Sequence, residues 1–106
     1  MTALKDLSAK VEKGKVPQWF NWNSGIKGHG TNARLAYNGS LDAAKALHDA
    51  VLPGWDLQIC TYEDDLFEVS VSLPLCVKTY DGLSEIIARA WLIAILRALI
   101  AQEEGA

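Results

Sequence analysis

Residues 55–73, WDLQICTYEDDLFEVSVSL, alternate apolar and polar side chains, which is the period of strands buried on one face. Trp55, Leu57, Ile59 and Thr61 share one side of a first strand. Phe67, Val69, Val71 and Leu73 share one side of a second. A one-residue slip would send the two apolar rows to opposite faces. Pairing Thr61 with Val69, Ile59 with Val71 and Leu57 with Leu73 keeps the rows together and leaves Asp64, Asp65 and Leu66 as a three-residue turn. A lone hairpin is marginal in water, so a third strand is expected. Its candidates are ARLAY (33–37), LCVKTY (75–80) or a strand of a second subunit.

Helical periods flank the hairpin. Leu4, Leu7 and Val11 predict a helix over 3–13, with Thr2 as its cap and Gly14 just past its end. Leu41, Ala44, Leu47 and Val51 form the stripe of a second helix. Ser40 is its N-cap, Asp42 lies in its first turn, Lys45 and Asp49 pair across one turn, and Pro53-Gly54 stops it. A third helix is expected from about Leu83 to Gln102, capped by Asp81 or Ser84. It is apolar nearly all round; only Glu85, Arg89 and Arg97 mark a polar stripe, with Glu85 and Arg89 as an i, i+4 pair. Such a helix is central to the domain or covered by a partner.

The order α–loop–α–β–β–α makes the chain an α+β fold with an antiparallel, hairpin-based sheet layered between helices. Its 106 residues suffice for one domain with one modest core. Residues 1–14 form the N-terminal helix, 15–40 a loop, and 41–102 the helix–hairpin–helix core. Trp55, Ile59, Val69, Val71, Leu92 and Leu96 are expected to meet in that core. A loop this long within a small domain is usually functional or mobile.

Charge adds an asymmetry. Residues 1–40 carry six lysines and arginines against two acids, a balance of +4, whereas residues 41–106 carry four against eleven, a balance of −7. The first part is suited to an anionic partner, yet the excess is far below that of a duplex nucleic-acid-binding domain. Cys60 and Cys76 have no metal-like spacing and do not oppose each other in the expected hairpin, which suggests reduced thiols in a cytoplasmic setting. The charged N-terminus lacks the apolar core of a signal peptide. In the last helix the longest uncharged run is Ala90–Leu96, well short of the roughly 20 residues that span a bilayer, so no membrane is expected as a partner.

AYNGSLDAAKALHDAVLPGW (36–55), followed by an alternating hairpin and ARAWLIAILRALIA (88–101), resembles the small phage and prophage proteins of the phage ABA sandwich domain family. Tyr37, Ser40–Ala44, Leu52–Trp55 and Arg97–Leu99 carry the resemblance, which spans about residues 35–101. It implies helix–sheet–helix layering and a phage protein acting in the cytoplasm of an infected cell. It brings no catalytic residue with it. The segment Trp19–Gly30 lies outside it.

Candidate chemistry is sparse. GIKGHGTN (25–32) is neither GxGxxG nor GxxxxGK[ST] and follows no credible strand, so its glycines speak for tight turning. His29 and His48 have no nucleophile motif beside them; His48 reads as a partly exposed helix residue. YEDDLFE (62–68) lacks EF-hand spacing and reads as a solvated hairpin tip. What stands out is VPQWFNWNSGIKGHGTNAR (16–34), which joins aromatics, glycines and basic residues without a single acid. Lys15, Trp19, Phe20, Trp22, Lys27, His29 and Arg34 are the candidate binding residues. Rings can stack on a base while cations and glycine amides hold a phosphate; Trp and Arg equally suit a protein partner. Alternatively, the tryptophans seal the end of a small core.

The resulting expectation is a non-enzymatic phage binding protein, without cofactor or metal, that antagonises host defence by sequestering a nucleotide signal or capping a host protein. A self-assembling structural or accessory phage protein is the alternative. A homo-oligomer is expected, through the last helix or an exposed sheet edge.

Overall fold

The computed structural model describes residues 3–17, 20–24, 26, 28–63, 65–74 and 78–105, and their side chains except at 3, 24, 104 and 105. The expected cap at Thr2 and the thiol of Cys76 lie outside these residues. The fold is α+β, in the order α1 (Ala3–Lys13), a 3-10 turn (Trp22–Ser24), α2 (Gly30–Tyr37), α3 (Leu41–Val51), β1 (Asp56–Glu63), β2 (Leu66–Ser72), β3 (Tyr80–Ser84) and α4 (Ile87–Gly105). Leu4, Leu7 and Val11 of α1 are buried as their spacing requires, and Gly14 N–H donates to the Val11 carbonyl at 3.0 Å to close the helix.

Two elements depart from the expected order. ARLAY is helix, not strand. Alanine, arginine and leucine are strong helix formers, and Ala33 and Ala36, three residues apart, are both fully buried. The third strand is β3, which begins where LCVKTY ends and takes in residues expected to open the last helix. Its Asp81 accepts a hydrogen bond from the Ser70 hydroxyl at 2.6 Å instead of capping a helix. Glu85 therefore precedes α4 and makes no helical pair with Arg89. Gly82 makes the strand possible. A Cβ there would lie 2.8 Å from the Ala94 nitrogen and closer still to the Ala90 carbonyl. The bare backbone lets β3 lie against α4.

The sheet order is β1-β2-β3, all antiparallel. Ile59 pairs with Val69, Leu57 with Val71 and Thr61 with Phe67. This register is two residues tighter than expected. A two-residue shift leaves every side chain on its face, so alternation could not distinguish the two; an irregularity between Thr61 and Glu63, followed by a Glu63–Leu66 closing pair, decides it. The inner rows read Leu57–Val71–Tyr80 and Ile59–Val69–Gly82 across the three strands. Val69 and Val71 are fully buried, but Leu57 and Ile59 are 40% and 44% exposed. The expected burial of Ile59 fails because α4 lies along β2 and β3, and β1 extends beyond its cover.

Helix α4 is the centre of the molecule. Ala90, Ile93 and Ala94 face Gly82, and at 100° per residue Leu92, Ile95 and Leu96, all fully buried, point the other way. α1, α2 and α3 pack there and along its flanks. The all-round apolar surface is thus covered within the chain. On α3, Ser40 Oγ accepts from the Ala43 N–H at 3.1 Å as expected of an N-cap, and Lys45 pairs with Asp49 at 2.8 Å. The buried side of α3 is turned from the expected stripe, however: Leu41 is exposed, while Ala43 and His48 are buried beside Ala44 and Leu47. His48 is not a partly exposed residue. Its Nδ1 accepts from the Trp91 indole N–H at 3.1 Å and its Nε2 lies 3.1 Å from the Trp55 carbonyl. The pairing defines the tautomer with hydrogen on Nε2 and ties α3 to α4 and to the entry of β1.

Candidate functional site

Residues 20–24 fold back on the molecule and form an organised wall with Tyr37. Asn21 Oδ1 accepts from the Asn23 N–H at 3.1 Å, an Asx-type turn that aims Asn23 toward the start of α2. There Asn23 Oδ1 accepts from the Gly30 N–H at 2.9 Å, meeting one of the helix's open donors. The approach is so close that a Cβ on Gly30 would stand 2.5 Å from that oxygen. This turn drives Trp22 inward, leaving it 8% exposed and within the core.

Around Trp22 the rings form a chain. Phe20 meets it edge-on at 6.0 Å between centroids, and Tyr37 of α2 lies tilted at 5.5 Å. Arg89 of α4 places its guanidinium 4.0 Å from the Tyr37 ring centre and donates through Nε to the Tyr37 carbonyl at 3.0 Å. At the other end, Lys10 Nζ stands 5.3 Å from the Phe20 ring centre while paired with Asp6 at 2.8 Å. Cations from α1 and α4 thus hold the aromatic wall from both sides.

Outside the wall lies a cleft of about 340 Å³ lined by Val16, Pro17, Trp22, Arg34, Tyr37 and Asn38. It is open to solvent, apolar on the side of Val16 and Pro17, and aromatic at its back. Arg34 is exposed at its rim and is the arginine whose side chain makes no hydrogen bond or ion pair among the described residues. Arg89 is held on Tyr37, and Arg97 is held by Glu12 and the Asp81 carbonyl. Asn38 donates through Nδ2 to the Arg34 carbonyl at 3.0 Å, which fixes its amide beside the arginine.

Of the residues singled out from the sequence, Trp22 and Arg34 meet in this cleft and Phe20 supports Trp22 from behind. Lys15 is exposed next to Val16 without lining the cleft. His29 is half-buried; its backbone accepts from Ala33 N–H at 3.1 Å and donates to the Ile26 carbonyl at 3.0 Å, and its side chain does not cap α2. Trp19 and Lys27 lie outside the described residues. Tyr37 and Asn38 were missed as cleft residues because they depend on α2: as strand, ARLAY would turn Arg34 and Tyr37 to opposite faces, whereas i, i+3 in a helix brings them together. Among the described residues, no group of three or more His, Cys, Asp and Glu side chains is placed to hold a metal ion, and no helix is long and apolar enough to cross a membrane. No family model matches the chain, and neither a curated protein nor a solved structure does.

Proposed function

We propose that the chain is a non-enzymatic binding protein whose cleft between Val16, Pro17 and Trp22 on one side and the end of α2 on the other takes a planar, anionic ligand, with nucleotides as the class that fits best. The observation that carries this reading is Arg34. It is an exposed guanidinium with no hydrogen-bond or ion-pair partner among the described residues, at the rim of a cleft backed by Trp22 and Tyr37. A guanidinium pairs with phosphate oxygens through a two-pronged hydrogen bond. The aromatic and proline surfaces beside it accept a flat ring by contact alone, and the Asn38 amide is available to read its edge. The positive balance of residues 1–40 draws an anion to this end of the molecule. Trp22 is part of the core and only 8% exposed, so ring contact falls mainly to the half-buried Tyr37 and Pro17, which it holds rigid at little ordering cost.

The resemblance of residues 35–101 to the phage ABA sandwich domain family supplies the biological setting. In that setting a protein that holds a nucleotide without turning it over removes a host defence signal from circulation in the host cytoplasm. Capping of a host protein by the same surface is the second form of that reading. The test is calorimetric titration with ribonucleoside mono-, di- and cyclic phosphates, compared with Arg34→Glu. Saturable binding that drops at least about tenfold in Arg34→Glu, at unchanged melting temperature, supports the site. Binding equal in both proteins, or none at millimolar nucleotide, removes it. Self-assembly as the primary role is favoured by a different feature, the uncovered apolar row on β1.

A further inference from the structure

The two edges of the sheet are unlike. The β3 edge is short, five residues, and Arg97 Nη1 donates to its Asp81 carbonyl at 2.7 Å. The β1 edge is eight residues long and exposed throughout. Natural edges are guarded by lysine, proline, early bulges or inward charges. β1 has no lysine and no proline, and its irregularity falls only after Thr61. Its charges, Asp56 and Glu63, stand at the two ends, and LQICTY between them is neutral. On its inner face Leu57 and Ile59 continue the row of Val71 and Val69 past the end of α4's cover.

We infer that β1 is a homodimer interface, paired antiparallel with β1 of a second copy about a two-fold axis at Gln58. The register follows from side-chain period and charge. Antiparallel pairing about Gln58 sets Leu57 opposite Ile59 of the second copy, twice, so that the inner rows fuse into one apolar strip. On the outer face the two Gln58 amides meet, each able to donate to the other. Asp56 then faces Cys60, and Glu63 lies past the end of the ladder, so no carboxylate opposes another. Centring on Cys60 would set Leu57 against Glu63. Parallel pairing would stack Asp56 on Asp56 and Glu63 on Glu63, which like charges disfavour. The complement of this edge, neutral in the middle and apolar on alternate residues with acids kept apart, is β1 itself.

The product is a six-stranded sheet with one α4 and its covering helices from each copy on the same side, a closed isologous arrangement. A strand pair alone is a small interface, at the low end of stable ones. The cleft at Arg34 shares no residue with β1, so the dimer and the binding reading stand or fall separately.

Analytical ultracentrifugation across about 1–500 μM measures the equilibrium, with Ile59→Lys as the edge-guarding variant. Ile59 is already 44% exposed, so this change leaves the circular dichroism spectrum native. The expected result is a concentration-dependent dimer for the parent and a dissociation constant raised at least about tenfold for Ile59→Lys. Gln58→Cys with Cys60→Ser supplies the second readout: mild oxidation should yield a covalent dimer whose peptide map contains a 58–58 disulfide. It decides the question should Ile59→Lys fold poorly. A parent that stays monomeric over the whole range, a dimer indifferent to Ile59→Lys, or a dimer that does not cross-link at position 58 overturns the inference.

Discussion

Arg97 joins three elements through one guanidinium. Its Nη2 and Nε donate to Glu12 at 2.8 and 3.2 Å, and its Nη1 donates to the Asp81 carbonyl. Hydrogen bonding from Arg97 holds the Glu12 carboxyl below its ordinary 4.5, against the opposing effect of partial burial. Because the native value is the lower one, the stability this carboxylate lends is complete above that ordinary value. It is lost as pH falls through the lowered native value. A Glu12→Gln variant should therefore lie below the parent in urea midpoint at pH 7 and converge with it in strong acid. Both side chains are substantially exposed, so the gap at neutrality is at most about 1 kcal/mol. Arg97→Lys, which keeps the charge but not the fork, should recover only part of what Arg97→Ala loses. Gly82 is more exacting. Gly82→Ala forces a methyl into the Ala90 and Ala94 backbone and should cost about 1–3 kcal/mol by overpacking, read from urea unfolding. Trp22→Ala empties a site 8% exposed and should cost about 3–5 kcal/mol; a variant melting like the parent would mean the indole is not part of the core.

At the scale of elements, α3 tests how far local signals reach. Ser40→Ala removes the Oγ that accepts from Ala43 and should lower stability by about 1 kcal/mol, measured by thermal melting. That helix was legible from the chain because cap, helical period and stop agree, although the face it buries is turned toward Ala43 and His48. The α1 stripe and the paired apolar faces of β1 and β2 were legible for the same reason. Where one signal stood alone, it misled. Alternation sets the face of a strand but is blind to a two-residue slip, so the hairpin register waited on the turn. ARLAY is too short for a period to show, and its helix depends on Asn23 meeting Gly30 from seven residues away, a long reach for pattern reading. β3 looked like a helix start because its neighbours are helical formers and its one requirement, a missing side chain at Gly82, acts through α4. The candidate site inherits these limits: Trp22 and Arg34 could be chosen by chemistry, while Tyr37 and Asn38 could be added only once α2 had formed.

At the scale of the molecule, every layer rests on α4. The sheet meets it through β2 and β3, α2 through Arg89 and Tyr37, α3 through Trp91 and His48, and α1 through Arg97 and Glu12. Among the described residues, neither side has a second core to fall back on. The buried residues form one cluster running from Leu4 to Ala98, and a chain of this length buries too little for halves to persist apart. Unfolding should accordingly be all-or-none. Leu92 is fully buried on α4, and Leu92→Ala should cost about 2–5 kcal/mol while shifting every probe together. Two indoles report on different layers: Trp91 bonds to His48 of α3, and Trp55 stacks near Tyr80 of β3 with centroids 6.1 Å apart. In proteins keeping only Trp91 or only Trp55, with the other indoles changed to phenylalanine, fluorescence and far-ultraviolet circular dichroism should trace one urea transition. Its slope should match in both proteins. A Trp55 transition that precedes the loss of helical signal would show the sheet leaving α4 while the helices hold. In that case the helical layers would not need the sheet to persist.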